Sequence, residues 1–167
     1  SYISSNVILL IDDVQIILRF TGSPEEIHKN YDFVHATNYF TMDEGLTLHP
    51  EAMEATLAKE LRYVGSRYPI CSMFRLKKFI RRGWTITAGQ MFKIAWDISK
   101  LDLDNREVLY DQLVGVDAAY FHEILGALKD KDSDAIDRTY LFELVNRVFD
   151  SPDTEIDDPL EKDENND

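Results

Sequence analysis

Two short runs of β-branched and aliphatic residues, Val7–Ile11 and Val14–Phe20, are separated only by Asp12-Asp13. Runs of this length and composition read as strands, and a two-residue polar break between them predicts a tight hairpin. The chain therefore opens on antiparallel β-structure, against which the remainder must pack. The next signal is a helix start. Ser23 can cap, Pro24 suits the first helical position, and Glu26 falls where a capping box needs a carboxylate. That helix must be short, because Tyr31–Phe40 reads as a strand. On it Asp32, Val34, Ala36 and Asn38 share one face, and Phe33, His35, Thr37 and Tyr39 the other. Asp43-Glu44-Gly45 marks a turn, and Pro50 opens a helix through about Leu57.

Beyond Pro50 the pattern is helical. Ile70–Arg82 is amphipathic and stops at Gly83, a natural helix terminator. Thr87 predicts a cap for a helix through Lys100, and Asp104 a cap for another to about Val114. Ala118–Lys129 and Ala135–Phe149 complete the series. Strands followed by helices define an α+β chain, with a short mixed or antiparallel sheet in the N-terminal third and a helical C-terminal half. The expected division is a strand-bearing region over 1–60, a helical body over 61–149, and an acidic tail over 150–167.

Charge separates these regions. The 167-residue chain carries a net charge of −13. From Asp150 to Asp167 nine acids stand against one lysine, a net of −8, so the body carries −13 − (−8) = −5. Such a tail reads as a solvated terminus that aids solubility, or as a docking peptide or nucleic-acid mimic for a basic partner. Leu61–Trp96 is the opposite: it has no Asp or Glu, but holds Arg62, Arg67, Arg75, Lys77, Lys78, Arg81, Arg82 and Lys93. Acids cleared from one stretch of an acid-rich chain imply a local positive field.

Several function classes are excluded or disfavoured. No apolar run approaches the roughly 20 residues of a membrane span. Ser1–Asn6 is polar and no cleavage pattern follows, so no secretory leader is expected. A single cysteine, Cys71, excludes an intramolecular disulfide and any cysteine zinc cluster, and fits a reducing, cytoplasmic compartment. His28, His35, His49 and His122 stand at no metal-ligand spacing, so no metal site is expected from them. Gly65 and Gly83 are too isolated to form a phosphate loop.

The basic helix carries the candidate site. On a helical wheel Met73, Leu76, Phe79 and Ile80 gather on one side of Ile70–Arg82, and Arg75, Lys78, Arg81 and Arg82 on the other. Forked guanidinium groups and point-like ammonium groups suit phosphate oxygens. The same face equally suits pairing with acids from elsewhere in the chain.

Two segments together resemble the template-independent nucleotidyltransferases, that is, the CCA-adding enzymes and bacterial poly(A) polymerases. Tyr31-Asp32-Phe33-Val34-His35-Ala36-Thr37-Asn38-Tyr39 is similar to that family's Asp-Phe-Thr-Ile-Asn strand. Arg75-Leu76-Lys77-Lys78-Phe79 followed by Gly83-Trp84-Thr85-Ile86 is similar to its Arg-x-x-Arg-Phe helix and the residues after it. The order is the family's, and the match runs from Val14 to Ile86. Phage-encoded relatives share the Val14–Phe40 layout. The resemblance implies a partial catalytic palm over 1–60 and a neck that grips nucleotide or RNA phosphates through Arg75, Lys78, Arg81 and Arg82. It makes Asp32 the candidate catalytic residue, with Mg²⁺ as cofactor if that reading holds.

The departures are specific. The family's Gly-Ser turn and Asp-x-Asp pair have no counterpart here. Asp12-Asp13 is adjacent, so its side chains would leave a strand on opposite faces. One carboxylate cannot hold the two cations of two-metal phosphoryl transfer. The resemblance therefore implies that a preceding segment or a separate chain supplies the metal-binding carboxylates. The alternatives are a non-catalytic nucleic-acid-binding relative, and a structural or adaptor protein whose basic helix docks an acidic partner.

Overall fold

A computed structural model of the chain describes residues 2–3, 7–10, 14–113 and 138–150. The expected Asp12-Asp13 turn, the Ala118–Lys129 helix, the first residues of the Ala135–Phe149 helix and the tail beyond Asp150 lie outside the described residues. The chain divides into two compact units, Ser1–Leu101 and Asp102–Asp167.

The α+β expectation holds. The first unit opens with β1 (Tyr2–Ile3), β2 (Val7–Leu9) and β3 (Gln15–Ile17), paired antiparallel in the order β1-β2-β3. Ile8 faces Ile16 across the β2–β3 pair, so the predicted hairpin is present. The capping box forms as the sequence indicates. Ser23 N–H donates to Glu26 Oε2 at 2.8 Å, and Glu26 N–H donates to Ser23 Oγ at 3.3 Å. It starts α1 (Pro24–His28).

The Tyr31–Phe40 strand is corrected. Val34–Thr37 is a turn of 3₁₀-helix, and only Tyr39–Thr41 (β4) is extended as a named strand. Asp32, Phe33 and Val34 are buried in succession, which no strand with one buried face allows. Two backbone bonds pin the segment to its neighbour: Val34 N–H to Arg62 O at 3.0 Å, and Val64 N–H to Asp32 O at 2.9 Å. Beyond that bridge the Thr37 hydroxyl donates to Val34 O at 2.7 Å, a local bond that favours a turn over a ladder.

β4 pairs antiparallel with β5 (Gly45–Thr47) around the predicted Asp43-Glu44-Gly45 turn, where Gly45 takes a φ of 75°. α2 (Pro50–Ala58) follows, then β6 (Glu60–Leu61), α3 (Pro69–Arg81), β7 (Thr85–Ile86) and α4 (Ala88–Ser99). β6 and β7 form a short parallel pair. α3 ends in a Schellman arrangement, with Trp84 N–H bonded to Phe79 O and Gly83 N–H to Ile80 O, and Gly83 at a φ of 78°. Thr87 caps α4 as predicted, accepting from Gln90 N–H. The core of this unit gathers Phe33, Leu61, Tyr63, Leu76 and Ile94, with Phe79, Trp84, Ile86 and Ile98 packed against it.

In the second unit α5 (Arg106–Leu113) is capped one residue later than expected. Asn105 Oδ1, not Asp104, accepts the Glu107 and Val108 N–H groups. Asp104 instead pairs with Arg138, the first residue of α6 (Arg138–Asp150).

Candidate functional site

The structure brings Asp32 and Arg75 together. Arg75 Nη1 lies 2.5 Å from Asp32 Oδ2, and the Ser72 hydroxyl donates to the same oxygen at 2.9 Å. Asp32 is 8% exposed and Ser72 is fully buried. This pairing also turns α3. The wheel placed Met73 and Ile80 on the apolar side, yet both are exposed. The buried side runs through Ser72 and Leu76, with Arg75 and Phe79 half-buried. A charged residue tolerates that position because the Asp32 carboxylate and the Ser72 hydroxyl complete a hydrogen-bonded set. Lys78 is half-buried, and Arg81 and Arg82 are exposed at the last turn of the same helix.

A second polar set lies beside the first. The Tyr63 hydroxyl donates to Asp97 Oδ2 at 3.1 Å, and Lys100 holds the other oxygen of Asp97 at 2.8 Å. Burial and then the Asp97 charge push the Tyr63 phenol well above its ordinary range. The Lys100 bond, helped by Tyr63, holds the Asp97 carboxyl below its own. The Tyr63 backbone N–H donates to Gln90 Oε1 at 2.8 Å, which ties α4 to the segment before α3.

His35 lies among aromatic rings. Its ring centroid is 4.5 Å from Trp84 and 4.9 Å from Phe79, and its buried Nδ1 has no hydrogen-bond partner. Burial lowers its pKa, opposed in part by Asp32. An open cleft of about 1020 Å³ lies between α1, the start of α2 and the 64–67 loop, lined in part by His28, Lys29, Tyr31, His49, Glu51 and Arg67. Its cations are matched by Glu25 and Glu51, so it favours no one charge of ligand.

The feature that sequence reasoning missed is the β4–β5 ribbon. Phe40 and Leu46 are direct cross-strand partners and are 64% and 65% exposed. Met42 and Leu48 continue the same two-residue spacing at 90% and 49%. The intervening residues Tyr39, Thr41 and Thr47 are the half-buried ones, and Tyr39 packs on His28 and His49 at 5.4 and 5.8 Å. The ribbon is thus inverted, with apolar side chains outward and hydroxyl-bearing ones inward. The signal in the sequence was the alternation on either side of the Asp43-Glu44-Gly45 turn. Alternation alone assigns such a face to a core, because it does not say which face the neighbours cover.

With this geometry in place, the comparisons point to phage anti-defense proteins. The model of the Gabija anti-defense 2 family matches residues 1–59. The chain is also 24% identical over 156 residues to a Gabija anti-defense 2 protein of Bacillus phage SPbetaL7, an alignment covering 86% of this chain and 39% of that protein. The chain therefore spans about two-fifths of the length of that curated relative. No solved structure matches.

These matches overturn the expected kinship with nucleotidyltransferases. The palm-and-neck reading goes with it, as do the transferase, nucleotide-binding and RNA-binding roles drawn from it. The geometry agrees: the Tyr31–Phe40 segment is largely a bridge and a 3₁₀ turn, and Arg75, expected to contact phosphate, is paired with the Asp32 carboxylate. A phage source, the one part of that resemblance that fits, agrees with the source of the relative. Mg²⁺ was tied to the catalytic reading, with its carboxylate ligands expected from a preceding segment or a separate chain. Among the described residues no three of His, Cys, Asp and Glu are grouped to hold a metal ion, and Asp32 Oδ2 is occupied by Ser72 and Arg75. Among the described residues no helix is long and apolar enough to cross a membrane.

Proposed function

We propose that this chain is part of a phage anti-defense protein that blocks the Gabija system in the host cytoplasm by docking onto one of its protein components, without turnover. The target comes from the printed name of the phage relative. The docking mode rests on one observation: the candidate catalytic carboxylate, Asp32, is buried and held by Ser72 and Arg75. A carboxylate bound in this way serves packing, because freeing it for chemistry would leave the half-buried Arg75 guanidinium without its counter-charge.

The test is a titration of purified Gabija components with the natural full-length product carrying this chain. Docking predicts inhibition that saturates at a fixed molar ratio, reverses on dilution, and accompanies co-elution in gel filtration. Inhibition that persists at a small fraction of that ratio and survives removal of the protein would establish turnover and overturn the docking mode. Failure of the same product to protect phage in Gabija-bearing cells would overturn the anti-defense reading itself.

A further inference from the structure

We infer that the outward face of the β4–β5 ribbon is an interaction surface for an apolar groove, bordered by basic residues, on the protein this chain inhibits. The inference rests on the anti-defense reading and adds the surface, and the chemistry of the partner, that the reading leaves open.

Three observations converge. The first is the inversion: Phe40, Met42, Leu46 and Leu48 face solvent while Tyr39, Thr41 and Thr47 are turned inward. Single exposed apolar side chains are ordinary, but a cross-strand pair, Phe40 and Leu46, with exposed Met42 in the adjoining turn and Leu48 just past β5, forms a patch that marks a binding surface. The second is rigidity. Asn38 Oδ1 accepts the His49 N–H at 2.8 Å across the base of the ribbon, and Thr41 Oγ1 accepts the Glu44 N–H at 3.1 Å at its tip. A face held at both ends loses little freedom on binding. The third is location: the ribbon falls within residues 1–59, the part matched by the anti-defense family.

Charge selects the occupant. Asp43 and Glu44 stand exposed at the turn, directly beside Met42. An apolar groove receiving this face would bring that acidic pair to its end, where Lys or Arg side chains would be favoured. A second copy of this chain would oppose acid to acid at the two tips, and an anionic lipid surface would repel the same tip. A foreign protein with a basic-rimmed apolar groove satisfies both halves of the surface.

The experiment uses the natural full-length product and immobilised Gabija components, with three variants: Phe40→Thr/Leu46→Thr, Met42→Glu and Asp43→Lys/Glu44→Lys. Threonine keeps the β-preference of the ribbon, and Met42 is too exposed for its replacement to unfold the protein. Loss of about 100-fold in affinity is expected for each of the first two, as for residues at the centre of an interface. About tenfold, with a weakened salt dependence, is expected for the tip reversal. Wild-type affinity in Met42→Glu would overturn the ribbon assignment while leaving the anti-defense reading intact. Wild-type protein that engages no Gabija component would overturn the ribbon assignment and the docking mode together, whereas only failure to protect phage would overturn the anti-defense reading. Sedimentation showing a dimer that Met42→Glu dissociates, or flotation with phosphatidylserine vesicles that it abolishes, would replace the assigned partner with a second copy or a membrane.

Discussion

Arg75 and Asp32 are 43 positions apart in sequence, yet their side chains meet at 2.5 Å, with the Ser72 hydroxyl bonded to the same carboxylate oxygen. The contact joins α3 to the bridge segment that carries Phe33 into the core. Removing one partner of a buried pair strands the other. Asp32→Ala should therefore cost about 3 kcal/mol, near the lower end for such pairs because the Arg75 side chain keeps 22% exposure. Arg75→Met in the same protein should recover part of that loss. A double-mutant cycle by urea unfolding checks both, and a cost below about 1 kcal/mol for Asp32→Ala would mean that the pair is not structural.

His35 makes the fold sensitive to mild acid. Burial among Phe33, Phe79 and Trp84 lowers its folded pKa below the ordinary 6.5. Between the folded and unfolded values the unfolded chain binds more protons, so stability rises with pH there. The contribution is complete above the unfolded value and is lost as pH falls through about 6.5 toward the folded value. His28, also lowered by burial and by His49, acts in the same direction. Unfolding midpoints measured from pH 7.5 to 5 should fall, and His35→Phe, which keeps the ring contacts, should flatten the slope. An unchanged slope would assign the effect to His28.

What could be read from the sequence was local, and what could not was relational. The β2–β3 hairpin, the Ser23 capping box, the Thr87 cap and the Gly83 terminator follow from residues within a few positions of one another. The 3₁₀ turn at Val34–Thr37 does not, because Arg62 and Val64 set the bridge before it. The buried side of α3 was misplaced for the same reason. Arg75 reads as a surface residue until Asp32 is known to face it. The ribbon illustrates the limit most plainly: its alternation was visible, but which side lies against His28 and His49 depends on chain segments on both flanks.

Gly83 offers a test of backbone conformation free of packing effects. Its φ is 78°, and a Cβ placed there would meet no atom within 4 Å. Gly83→Ala should therefore cost only the left-handed backbone penalty, about 1 kcal/mol, and Gly83→Asn less, because asparagine tolerates that region. Equal losses for the two variants in chemical denaturation would show that the end of α3 is held by Trp84 packing and not by the Schellman turn.

Asn38 connects stability to the proposed surface. Its Oδ1 accepts the His49 amide, and its Nδ2 lies 3.5 Å from Met53 Sδ. Asn38→Ala should leave the His49 N–H without that acceptor at a cost of about 1 kcal/mol, the net worth of one hydrogen bond. The loss should be local, because Phe33, Leu61 and Leu76 are held by other contacts. Hydrogen exchange should show roughly fivefold faster exchange at His49 for a loss of that size, with core amides unchanged. Asn38→Asp keeps the acceptor and should preserve the protection. If Asn38→Asp exchanged as fast as Asn38→Ala, the base of the ribbon would be held by something other than this bond, and the rigidity argued for its apolar face would have to come from β4–β5 pairing alone.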